Sequence, residues 1–506
     1  MKSIRKAWHF NSSGRARTSL LAFVIALFAI AVMQIPYALG YSLAQPGTEY
    51  SGLLLNVEDY SYYAIMLQGY DGAWQYHIQF TSEEHAPAFL YGFYLALGHL
   101  ARGLSLSIVV IWHCARIITA LTLFLVVFGF IGLFLRDPSQ RWFAYLLAVF
   151  GSGFDWTFFP FEQFEIVGGA PVDFRMPEAH LFFTALTYPH VSMGVALLLT
   201  SFWLWLRAFL RQQWRFAALA GLVNLAIGMV YPFMIYLVAA VLGAYWLYAA
   251  LRARKFLGRE FGYLVLAGLL AAPLYAYYEY VLITNAVFRA WDAQAVTLSP
   301  NPLHYLLAYG VMLVLAALVF SRNWQAGLLS AGSSTSAKHG HDFVLLWIWV
   351  IIAALLLYAP LNAQRRFLQG LQVPLAILAT LGLFAVVLPR IEQTAVFRTI
   401  AERPGYTTRG LRRLLMAFLL VAMSTANIIV LLRLSAFTAV EQTDALFRPR
   451  AEIQAVDWLR DHTARSDVVL GAYWTGSFIP ARAGNAVLVG QRYETMQFED
   501  KLAEVD

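Results

Sequence analysis

Apolar residues along most of this chain come in runs of about twenty, separated by shorter polar stretches. That is the length a helix needs to cross a hydrocarbon layer about 30 Å thick at 1.5 Å per residue. A first run extends from about Leu20 to Leu39. Further runs near 106–135, 142–159, 183–206, 216–231, 232–250, 261–282, 303–321, 343–358, 367–389 and 414–433 predict an α-helical polytopic membrane protein with about 11 transmembrane helices. The first run follows a basic arm of Lys2, Arg5, Lys6, Arg15 and Arg17. It is longer than a signal-peptide core of about 7–15 residues and reads as a retained span with its amino end in the cytoplasm.

The stretch 87–103 is apolar but short, and glycine and histidine interrupt it. If it spanned, Arg136, Arg141, Arg207, Arg211, Arg215, Arg252, Arg254 and Lys255 would all fall outside, against the positive-inside rule. If it lies along the outer interface, they fall inside, together with Arg322, Lys338 and Arg390, Arg398, Arg403, Arg409, Arg412 and Arg413. The second arrangement puts the carboxyl end outside. It also gathers the long polar loops on one face: 41–105, about 160–182, 283–302, 359–366 and the tail from about 434.

Beyond 433 the pattern changes. Ile453, Val456, Trp458 and Leu459 recur at helical spacing between Ala451 and His462, while Asp467-Val-Val-Leu and Ala486-Val-Leu-Val read as strands, the second after a Gly484-Asn485 turn signal. The expected organisation is a transmembrane module, 1–433, with an outer loop 1 at about 41–105, and a small C-terminal extracytoplasmic α/β segment, 434–506. That segment is expected to be a piece of a larger domain, or to be followed by further chain. No solenoid or inverted-transporter repeat is evident. The polar stretch at 333–341 reads as an inner linker.

Composition agrees with the pattern: 60% hydrophobic, 16% aromatic and only 13% charged, against about a quarter charged in soluble proteins. The net charge of +7 sits in short loops between apolar runs, so it serves membrane insertion and excludes nucleic acid as the expected partner. The one cysteine, Cys114, has no partner for a disulfide or thiolate metal site and is expected in packing.

Three polar clusters could carry chemistry. Glu58 and Asp59 open an aromatic run through Tyr62, Tyr63, Ile65 and Met66. They could simply cap a juxtamembrane helix, since acids favour its positive end. Held against aromatic walls, a carboxylate there would lose solvation and could act as a general base. Glu83, Glu84 and His85 precede Pro87; carboxylate and imidazole could position substrate or bind a divalent metal, although the spacing matches no closed metal motif. Glu84, His85 and His190 are the metal candidates, with His77 as a neighbour. His190 lies in Tyr188-Pro189-His190 at the mouth of its span, where a kink with a satisfied histidine is the alternative. Arg365 and Arg366, in Tyr358-Ala-Pro-Leu-Asn-Ala-Gln-Arg-Arg-Phe, fall outside against the charge rule. A lipid-borne phosphate gripped by bidentate hydrogen bonds would explain them, as would ordinary headgroup contacts or snorkelling.

Other polar residues are placed more broadly. Arg116 and His113, costly in lipid, are expected to face the protein interior or the interface. Glu162, Glu165, Asp173, Arg175 and Glu178 form an outer loop without an assigned role. Tyr275, Tyr277, Tyr278 and Tyr280 suggest an interfacial belt or a sugar-stacking wall.

The order of these elements resembles the class C glycosyltransferases (GT-C), in particular the protein O-mannosyltransferase and lipid A aminoarabinose-transferase branch. The likeness rests on Glu58-Asp59-Tyr60-Ser61-Tyr62-Tyr63, on Glu84-His85-Ala86-Pro87-Ala88-Phe89-Leu90-Tyr91, and on the arginine entry into a late span at 365–376. The chain departs from it at Ala86-Pro87, where His-Pro-Pro or Lys-Pro is common, and at Tyr188-Pro189-His190 in place of Asp-Pro. Both departures leave a metal requirement open.

The resemblance implies inverting transfer of a hexosyl or pentosyl group from a polyprenyl-phosphate-linked donor to an acceptor at the outer face of the bilayer. In that scheme Asp59 is the base, Glu58 shares or tunes it, and Arg365 or Arg366 stabilises the departing phosphate. Glu84, His85, His190, Tyr62 and Tyr63 contact substrate. The acceptor stays open among protein, lipid and glycan. The rival classes are a transporter, which would gather ionisable residues at broken helices near the bilayer midplane, and a non-catalytic scaffold.

Overall fold

The computed structural model describes residues 12–157, 171–329 and 343–505. Lys2, Arg5, Lys6, Glu162, Glu165, Lys338 and the 333–341 linker lie outside them, as do the side chains of Arg15 and Arg322.

Each of the eleven predicted runs contains helix, but not all of them equally. Among the described residues seven helices are long and apolar enough to cross a membrane: Arg17–Leu43, Ile108–Phe134, Pro189–Arg211, Met234–Ala253, Pro302–Phe320, Gln372–Glu392 and Thr408–Glu441. Gly258–Leu269 and Ala272–Thr284, bent by 48°, make an eighth if counted together. The runs at 142–159, 216–231 and 343–358 hold shorter helices, Pro138–Phe150, Trp214–Val230 and Val344–Leu356. In the first of these Gly151 leaves the helix in extended conformation, so hydropathy alone overstated its length. The chain is an integral, multi-pass membrane protein.

The interrupted stretch 87–103 yields the helix Gly92–Leu104. Its 13 residues reach about 20 Å, short of a bilayer core. It packs on the helix Tyr60–Asp71, and one glycine from each helix, Gly69 and Gly98, explains how closely. A Cβ on Gly69 would collide with the Leu95 carbonyl, and one on Gly98 with the Met66 carbonyl. Backbone touches backbone there, so only glycine fits.

The tail folds onto the stretch 41–105. Thr48–Tyr50 pairs antiparallel with Phe447–Pro449, and Val468–Val469 pairs parallel with Ala486–Val487. The expected helix is present as Arg450–His462. Val487 N–H donates to the Gln79 carbonyl (2.9 Å), Thr495 Oγ1 to the Phe80 carbonyl (2.7 Å), and Lys501 pairs with Glu83 at 2.8 Å. Phe478 stacks edge-on against Tyr60 at 5.3 Å, so loop and tail share one hydrophobic core.

Arg116 is buried, as expected of a charge in a span. It donates to Gln34 Oε1 (2.5 Å), and its guanidinium lies 3.8 Å over the Tyr37 ring. Cys114 is not in the packing but exposed on the helix Ile108–Phe134. Of the four tyrosines at 275–280, Tyr275 and Tyr278 turn inward to the Pro232 and Gly228 carbonyls, and Tyr277 accepts from Phe89 N–H. Only Tyr280 is a largely exposed, belt-like residue.

Candidate active site

A single turn, Val57–Asp59, delivers both carboxylates to the start of the helix Tyr60–Asp71. Asp59 holds the cap position, yet its side chain makes no capping hydrogen bond. It accepts instead from Tyr188 Oη at 2.9 Å, a partner 129 residues further along the chain. Burial pushes the Asp59 carboxyl up to about 7; the Tyr188 hydrogen bond opposes the rise and the neighbouring Glu58 adds to it. Glu58 is also raised by burial, with Arg492 working the other way.

The Asp59 carboxylate opens into a cavity of about 270 Å³ that also contains Arg365 and Arg366. Both arginines sit on the turn Gln364–Leu368, just before the span that starts at Gln372. Arg366 donates to Tyr231 Oη at 2.9 Å, with its guanidinium 4.9 Å from the Phe233 ring; Gln369 donates to the same hydroxyl at 2.8 Å. Arg365 lies 3.6 Å from Glu178. The Nε of each arginine is buried without a hydrogen-bond partner among the described residues, so donor capacity remains for an anion.

Rings join the two charged ends. Tyr188 and His190 are 5.6 Å apart between centroids, and His190 and Tyr231 5.4 Å. Tyr62 touches His190 at 5.1 Å and Tyr94 at 4.7 Å, and Tyr94 Oη holds His190 Nδ1 at 2.5 Å. The sequence Asp59, Tyr188, His190, Tyr231, Arg366 is thus a continuous wall running from carboxylate to guanidinium. The tail closes the cavity with Gln491, Tyr493 and Glu494. Glu494 is buried, accepts a hydrogen bond from Tyr76 Oη, and is pushed up to about 7 by burial against the effect of that bond.

Of the residues expected from the sequence, Glu58, Asp59, Tyr62, His190, Arg365 and Arg366 line this one cavity. Tyr63, Glu84 and His85 do not. Tyr63 is one residue, about 100° of helix, past Tyr62 and so points elsewhere. Its hydroxyl donates to the Ser51 carbonyl (3.2 Å), and it lines a separate cavity of about 580 Å³. Glu84 and His85 border a third cavity, of about 410 Å³, beside Tyr277 and Tyr280. His85 Nε2 accepts from Ile78 N–H (3.0 Å) and Nδ1 faces the Glu83 carbonyl (2.8 Å). Its own loop therefore fixes the Nδ1–H tautomer and leaves no lone pair for a metal.

The metal candidates Glu84, His85 and His190 are accordingly not brought together. Among the described residues no group of three or more His, Cys, Asp or Glu could hold an ion. Sequence reasoning missed Glu178 and Tyr231 as cavity residues, and Glu494 altogether. One signal was legible: Tyr188-Pro189 and Tyr231-Pro232 both place a Tyr-Pro pair at the edge of an apolar run.

No family model matches the sequence, and no curated protein matches it. In three dimensions the chain is similar to the oligosaccharyltransferase of Archaeoglobus fulgidus tethered with an acceptor peptide, with a TM-score of 0.52 and 15% identity over 94% of this chain and 64% of that one. It is also similar to ArnT of Cupriavidus metallidurans bound to undecaprenyl phosphate, with a TM-score of 0.51 and 11% identity over 94% of this chain and 86% of that one. The chain therefore spans just under two thirds of the archaeal protein's length. At such identities the likeness defines the fold, which is that of the GT-C membrane glycosyltransferases.

Proposed function

We propose that this protein transfers a sugar from a polyprenyl-phosphate carrier to an acceptor hydroxyl on the non-cytoplasmic face of the membrane, with inversion at the anomeric carbon. The observation that carries this reading is the single cavity holding a desolvated carboxylate, Asp59, and the guanidinium groups of Arg365 and Arg366. The acceptor oxygen attacks the anomeric carbon while its proton passes to Asp59. The bond from that carbon to the phosphate oxygen breaks, and the phosphate leaves with the electron pair, its charge met by Arg366 and Arg365. Phosphate is already a good leaving group, so a base and a charge clamp are the two parts the reaction needs.

Glu58 raises the basicity of Asp59 through like charge, and Tyr62 forms the wall against which the sugar lies. The solved ArnT structure holds undecaprenyl phosphate, which supports a lipid-borne donor here. In this reading 1–433 is the membrane module and 434–506 closes the cavity from outside. Glu84 and His85, in a separate cavity, have no part in the chemistry. A transporter is disfavoured because the acids gather in loops and not at a break within the bilayer.

The test is Asp59→Asn in membranes supplied with labelled polyprenyl-phosphate sugars. A base of this kind contributes about 10²–10⁴-fold, and the loss should be of that order. Undiminished transfer would remove Asp59 from the role, and no transfer by the wild type with any such donor would end the proposal.

A further inference from the structure

Asn56 and Glu58 have a second exposure. Besides bounding the reaction cavity, they form one wall of an open cleft of about 1090 Å³. Its other walls come from Phe437 and Glu441 at the end of the helix Thr408–Glu441, from 442–449 beyond it, and from the start of the helix Tyr473–Arg482. Neither Arg365 nor Arg366 borders the cleft, so it adjoins the reaction cavity at the carboxylate end. In an inverting displacement the nucleophile approaches opposite the leaving group. With the phosphate at the arginines, the acceptor must come from the carboxylate side, where this cleft lies.

The lining indicates what kind of acceptor fits. Trp474 is 51% exposed at the cleft, yet its base is held: its carbonyl accepts from Arg448 Nη2 at 2.8 Å. Tyr473 lies beside it, 5.2 Å between rings. Arg448, the cation in the cleft, is already engaged by Glu452 at 3.3 Å. Among the described residues the side chains of Glu58, Glu441 and Asp444 make neither an ion pair nor a hydrogen bond with the protein. Arg492 acts on Glu58 from outside the cleft, but the balance of charge along the lining is negative, and a phosphorylated or otherwise anionic acceptor is repelled. An exposed aromatic face on an anchored backbone, with acceptor-only carboxylates around it, suits a ring with an apolar C–H face and hydroxyl donors at its rim.

We infer that this cleft is the acceptor site and that the acceptor is an uncharged, polyhydroxylated glycan. A sugar ring of the glycan stacks on Trp474, its hydroxyls donate to Asp444 and Glu441, and the reacting hydroxyl passes Glu58 to reach Asp59. The inference rests on the transfer reading above, which names Asp59 as the base.

The experiment uses the purified full chain in nanodiscs. The probes are a panel of neutral gluco-, manno-, galacto- and arabino-oligosaccharides, phosphatidylglycerol vesicles, Ser/Thr peptides and, separately, undecaprenyl phosphate. At least one neutral oligosaccharide should bind; Trp474→Ala should weaken it tenfold or more, Trp474→Phe should restore most of the affinity, and Asp444→Asn should weaken it severalfold. Undecaprenyl phosphate should bind all three variants as it does the wild type. The inference is overturned if no neutral oligosaccharide binds in a Trp474-dependent way, or if the peptides or anionic vesicles do. Failure of the wild type to bind undecaprenyl phosphate would instead overturn the transfer reading, and with it the assignment of the cleft to an acceptor, whatever the glycan result.

Discussion

Asp59 illustrates how much a single side chain's surroundings decide. A carboxylate at a helix start ordinarily lowers its own pKa by capping, but this one gives up the cap and is buried against Tyr188. A base must be ionised to work, and burial holds this carboxyl at about 7. The rate of transfer should therefore rise as pH increases through about 7 and level off above it. The Tyr188 hydrogen bond favours the ionised form, so Tyr188→Phe should move the rising limb to higher pH as well as slow the reaction. A pH–rate profile of both proteins checks this. A limb near the ordinary carboxylate value, or one indifferent to Tyr188→Phe, would contradict it.

His85 and Tyr63 carry the opposite lesson at the same scale. Both have the right side-chain chemistry and both lie close in sequence to cavity residues. Yet one spends its two nitrogens on its own loop and the other faces away by one helical step.

Among the elements, the pair Tyr60–Asp71 and Gly92–Leu104 sets where Asp59 and Tyr62 stand. The short second helix was legible as a segment that does not span, because its length and its effect on the positive charges are both one-dimensional facts. What Gly69 and Gly98 do was not legible, since a glycine that breaks a pattern and a glycine that lets two backbones touch look alike in sequence. Gly98→Val should force the helices apart at a cost of about 1–3 kcal/mol or more. Thermal unfolding in detergent should report it as a lowered midpoint, with transfer reduced in parallel because the carboxylate turn moves.

At the scale of the whole molecule, the tail belongs to the site. Gln491, Tyr493 and Glu494 line the cavity, and Phe447–Pro449 pairs with the loop that carries Glu58 and Asp59. A chain ending before residue 447 should lose by circular dichroism only the helix carried by the tail itself, Arg450–His462, Tyr473–Arg482 and Phe498–Val505, and lose transfer. Retained activity would show that the tail is not part of the catalytic wall.

The sequence by itself determined that the chain lies in a membrane, which runs become helices, and that one acidic turn and one arginine turn stand out from their surroundings. Those properties follow from local hydropathy and local charge, which can be read residue by residue. Only the tertiary structure decided that the two turns share a cavity, that Tyr188 and Tyr231 complete the wall between them, and that Glu494 joins from the far end of the chain. Such partners are selected by how helices pack and which way each face points, and residues far apart in sequence leave no periodic trace of meeting.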